Sequence, residues 1–175
     1  MKSIKNIGLS AMFIAIGLIL PFFTGQIQKI GNMLLPMHIP VFLCGLICGW
    51  KFGAVVGFVV PLMRSVIFGM PILMPNALAM AFELMTYGLV IGLIYGRFKK
   101  KNIFKTYIAL VISMFAGRVV WAVAELVLLG ILGNRFTAQM FIAGAFLNAI
   151  PGIILQLILI PMIMHRINIE KVKVD

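Results

Sequence analysis

Arg64, Glu83, Arg118 and Glu125 stand well inside long apolar runs, and almost every other charge between Ile7 and Met164 lies in a short hinge. That arrangement constrains the fold more than any other feature. The apolar runs follow one another along the whole chain of 175 residues, which is 63% hydrophobic and 11% charged. A soluble domain of this size has no use for so much apolar surface. A bilayer span needs about 20 apolar residues, and six spans with short connections use the chain up. A charge in hydrocarbon costs several kcal/mol unless it is paired or wetted. Two cations and two anions kept there point to a polar site inside a membrane bundle.

The predicted architecture is an all-α, six-helix integral membrane bundle in one domain, 1–175. Its spans are expected at about 7–23, 38–50, 52–68, 77–96, 104–132 and 137–164. Pro36 and Pro40 place the second helix start near His38, because proline fits a helix start better than its middle. Gly69 to Asn76 holds two prolines and cannot be regular helix. Pro151 and Pro161 predict a kink in the sixth span.

The net charge of +11 does not read as nucleic-acid binding, because the basic residues alternate between hinges instead of forming a patch. With both termini placed in the cytoplasm, inner segments hold eleven basic residues: Lys2, Lys5, Lys51, Arg97, Lys99, Lys100, Lys101, Lys105, Arg166, Lys171 and Lys173. Outer loops hold two, Lys29 and Arg135. The first run shows no clear cleavage site and is kept as a span. No P-loop pattern is present, so ATP-driven work would fall to another subunit.

Arg118 and Glu125 are seven residues apart, on one helical face about 10 Å apart along the axis. Trp121 stands between them. Cation, aromatic plate and anion make a candidate ligand wall, with an interhelical lock as the other reading. Glu83 and Arg64 fall in the outer half, where they pair with each other or meet a ligand. Asn76 is a candidate ligand contact or the N-cap of the fourth helix. Asn148 is the better placed of two amides in the sixth span; Gln156 is the other. His38 stands at the outer entrance of the second span, as a loop cap or a ligand contact. Apolar outer loops containing Met33, Met37, Met70 and Met74 read as a lid. Cys44 and Cys48 share a helical face in poor disulfide geometry and read as packing residues. A metal site with His38 would lack a fourth ligand, and no metal or cofactor is expected. Ala11 and Ala15 lie one turn apart, with Gly8 on nearly the same face, a spacing that permits close helix contact.

Taken together, these features resemble the substrate-binding S components of energy-coupling factor (ECF) vitamin transporters. The resemblance runs over essentially the whole chain. Its most family-like stretch is His38-Ile-Pro40 followed by Gly45, Gly49, and Gly53-Ala54-Val55-Val56-Gly57. Ala11 and Ala15 match the family's small-residue motif that docks the coupling subunit. The resemblance implies a multi-pass protein of a prokaryotic plasma membrane. It implies a vitamin-like small molecule bound from outside, a membrane coupling subunit and two cytoplasmic ATPases as partners, and toppling to release the cargo. Lys2 stands where the nickel and cobalt branch carries a histidine, which argues against metal cargo. The His-Ile-Pro-Val segment leans toward the pantothenate, pyridoxine, riboflavin and folate branch. A self-contained small carrier is the alternative. An intramembrane enzyme would need a constellation such as Gly-x-Ser-x-Gly or His-Glu-x-x-His, and neither occurs.

Overall fold

The computed structural model describes residues 2–24, 34–98, 102–133, 137 and 149–174. Among them are six long or medium helices: α1 (Lys2–Ile19), α2 (His38–Cys48), α3 (Trp50–Phe68), α4 (Leu78–Arg97), α5 (Ile103–Ile131) and α6 (Ile150–Val174). Two short irregular turns, Leu20–Thr24 and Leu73–Ala77, extend α1 and precede α4. Among the described residues, five stretches are long and apolar enough to cross a membrane: Ile4–Phe23, Trp50–Phe68, Leu73–Arg97, Ile103–Ile131 and Ile150–Ile167.

The second helix departs from the expectation of a full span. Its 11 residues rise only about 16 Å, against a hydrocarbon core of about 30 Å. Nearly every residue of α2 is buried, on all sides of the helix. A helix apolar all round belongs in a core, and α2 is the element that α1, α3, α4 and α6 pack around.

Gly49 joins α2 to α3 with φ +96°, a left-handed geometry that a side chain would resist. The two helices then close against α4 with backbones touching. A Cβ added at Gly88 would lie 2.1 Å from the Gly53 carbonyl oxygen, and one at Gly57 would lie 2.2 Å from that of Leu84. No side chain fits in this seam, so the three helices approach as closely as backbone allows. α1 packs on α2 and α3 through its Phe13 and Gly17 side.

Other boundaries differ for identifiable reasons. α6 runs on to Val174 because residues 165–174 contain no proline or glycine to stop it. Pro151 sits in its first turn, where no intrahelical bond is lost, and Pro161 lies inside it. Asn76 does not cap α4: it lies in the Leu73–Ala77 turn, where Met74 is extended, and α4 starts at Leu78 without a side-chain cap. The cap found is Asn102, whose Oδ1 accepts from the Lys105 backbone N–H at 2.9 Å at the start of α5.

Candidate functional site

The polar site is assembled at the junction of α2, α4 and α5. Glu83, six residues into α4, is only 2% exposed. Its Oε1 accepts two hydrogen bonds. One comes from Arg118 Nη1 on α5 at 2.9 Å, and the other from the Tyr87 hydroxyl, one turn along α4, at 2.6 Å. Both are short charge-assisted bonds, the strong kind. A buried ion pair needs such additional bonds to offset its desolvation.

Tyr87 reaches this position because α5 yields space. Gly117 faces its ring so closely that a Cβ there would lie 2.1 Å from Cε1. Tyr87 opposite Gly117, and Glu83 opposite Arg118, is the register of antiparallel neighbours. The Tyr87 ring also leans on Phe42 and on His38, with centroids 4.9 Å and 5.4 Å away.

His38, the first residue of α2, is 1% exposed. Its Nε2 stands 3.9 Å from Glu83 Oε1, too far for a hydrogen bond. Neither ring nitrogen has a hydrogen-bond partner among the described residues. Each such buried polar atom left unsatisfied costs about 1–3 kcal/mol. The loop before His38 is anchored at Leu35, whose φ is +49°. The Leu35 carbonyl accepts from the His38 backbone N–H at 3.1 Å and from Gln156 Nε2 of α6 at 3.5 Å.

Glu125 lies two turns beyond Arg118 on α5, toward the Leu73–Ala77 turn, which α5 also contacts. It is 8% exposed and forms no hydrogen bond or ion pair among the described residues. Trp121 is half-buried between Arg118 and Glu125.

The structure thus brings His38, Glu83 and Arg118 together, with Trp121 and Glu125 on the same α5 face. Asn76 is half-buried in the turn before α4. Asn148 lies outside the described residues. Arg64 is elsewhere: its Nη1 donates to the Leu18 carbonyl of α1 at 2.8 Å, and its guanidinium sits between the Phe22 and Phe68 rings. It does not pair with Glu83, and its bonds tie α3 to the end of α1. Arg118 in turn pairs across helices rather than along its own helix toward Glu125. Tyr87 and Gly117 escaped the sequence reading. The available signal was Tyr87 standing four residues after an intramembrane acid, within hydrogen-bonding reach on a helix.

Residues 5–164 match the family model for the substrate-specific component of ECF transporters. The chain belongs to this family. It is therefore a multi-pass membrane protein and a substrate-binding transport component, not a member of an enzyme family. No curated protein and no solved structure matches it.

Proposed function

We propose that this chain is the high-affinity substrate-binding subunit of an ECF-type importer for a vitamin or related small micronutrient. A membrane coupling subunit and two cytoplasmic ATPases energise it. The observation that carries the reading is the buried cluster of Glu83, Arg118, Tyr87 and His38, in a chain of this family. Ionisable side chains are expensive inside a bundle and mark ligand paths there. The cluster forms the polar pole of the site, and Trp121 and Glu125 continue it along α5. Asn76 and Asn148 are proposed to complete it, and Arg64 to brace the bundle.

Both termini face the cytoplasm in this reading, which the alternation of basic hinges supports. Ala11 and Ala15 form the docking face for the coupling subunit. In support, both are exposed on α1, as are Gly8 and Met12, while Ser10, Phe13 and Gly17 pack inward.

The test is uptake in vesicles, with a panel of pantothenate, pyridoxine, riboflavin and folate. Uptake that requires ATP and the coupling subunits supports the proposal. Uptake by this chain alone, driven by an ion gradient, makes it a self-contained carrier.

A further inference from the structure

Among the described residues the charges of the cluster do not balance. Glu83 and Arg118 neutralise one another through the 2.9 Å bond. Glu125 remains, a carboxylate buried on the same face of α5, with no hydrogen bond or ion pair among the described residues. Arg64, the other buried cation among the described residues, is committed to the Leu18 carbonyl on α1. Tyr87 uses its hydroxyl proton on Glu83.

His38 supplies a separate observation. Its two ring nitrogens are buried beside Glu83 without a hydrogen-bond partner among the described residues. A neutral imidazole offers one acceptor nitrogen, which takes an N–H. Trp121, between Arg118 and Glu125, is the aromatic type that attracts a cation most strongly. A buried acid and an indole favour a cation, and the acceptor nitrogen of the imidazole can take one of its N–H groups.

We propose that the cargo is a small nitrogenous cation, a protonated amine or a cationic ring, with its charge seated against Glu125 and an N–H group directed to His38. This rests on the substrate-binding reading of the cluster. An anionic cargo would meet Arg118 already occupied and Glu125 repelling it.

The experiment is calorimetric titration of the purified full chain in nanodiscs. Thiamine and pyridoxamine are the cationic probes, riboflavin the neutral one, and pantothenate and folate the anions. Wild type, Glu125→Gln, His38→Phe and a doubly neutral Glu83→Gln/Arg118→Gln variant are compared. Glutamine keeps the shape of a protonated glutamate and removes only the charge. We expect a cationic probe to bind tightest. Its affinity should fall at least about tenfold in Glu125→Gln, the scale of one charge-assisted hydrogen bond lost. His38→Phe, which keeps a ring in place, should also weaken it. Tightest binding of an anionic or neutral probe, lost in the doubly neutral variant but unchanged in Glu125→Gln, overturns the charge assignment and leaves the site standing. A cation bound equally by wild type and Glu125→Gln overturns it too. Binding of a probe that Glu125→Gln, His38→Phe and the doubly neutral variant all retain overturns the site reading, and binding of none of the five overturns both.

Discussion

One helix, α4, carries two different kinds of interface. Its Gly88 side meets α2 and α3 in a seam where backbones touch and no side chain fits. Its Glu83 and Tyr87 side meets α2 and α5 through hydrogen bonds, rings and an ion pair. The seam is complete: nothing can be added to it. In the polar corner, among the described residues, His38 has two unpartnered nitrogens and Glu125 a carboxyl without an ion pair. Helices that gain little from the hydrophobic effect in lipid hold together by close packing at small residues. The seam does that work, and it frees the polar corner beside it to keep His38 without a hydrogen-bond partner among the described residues.

If the two interfaces differ in this way, substitutions should separate them. The largest effect is expected at the seam. Gly88→Leu would drive a branched side chain into the Gly53 backbone, and overpacking alone costs about 1–3 kcal/mol where neighbours can move. Backbone cannot move aside, so folded protein should be lost on size exclusion in detergent. A normal elution profile would break the comparison.

Next comes Glu83→Gln alone, which strips Arg118 of its counter-ion. Breaking one side of a buried pair costs about 3–5 kcal/mol. Thermal unfolding should shift well below wild type, and replacing Arg118 with glutamine as well should recover much of the loss. Failure of the double variant to recover would mean that the pair is not the reason for the cost.

Tyr87→Phe keeps the ring over Gly117 and removes the hydroxyl. A hydrogen bond to a charged group is worth about 1.5–3 kcal/mol, so a moderate loss of stability is expected. A wild-type melting temperature would mean that the 2.6 Å bond contributes nothing. The smallest effect on stability belongs to Ala15→Leu, because Ala15 is exposed on α1. Melting should stay at the wild-type value, while uptake through the coupling subunits should fall. Equal loss of both would return Ala15 to internal packing.

Sequence and structure agree where local chemistry decides. Apolar run length located the helices, and Pro36, Pro40 and the Gly49 turn located α2. Intramembrane charge singled out Glu83, Arg118 and Glu125, because a charge inside an apolar run stands out before its partner is known. Partners themselves were not legible. That Arg118 turns to Glu83, and Arg64 to the Leu18 carbonyl, depends on helix rotation and register. Those are set by the glycine seam and by the notch at Gly117, contacts between residues far apart in sequence. Tyr87 was missed for the same reason: its ring reads as ordinary core until Gly117 is seen beneath it. The span expected at about 38–50 is found as α2 at His38–Cys48, with the start that Pro36 and Pro40 indicate.

The central claim is that the polar corner, and not the seam, holds the cargo. Native mass spectrometry of protein purified from cells that make the whole importer tests it most directly, on wild type and on a His38→Phe/Glu125→Gln variant. Both replacements keep the size of the side chain and add no buried charge, so the variant should be folded. The account predicts one small molecule bound to wild type and none to the variant. The same molecule on both, at equal occupancy, would contradict it.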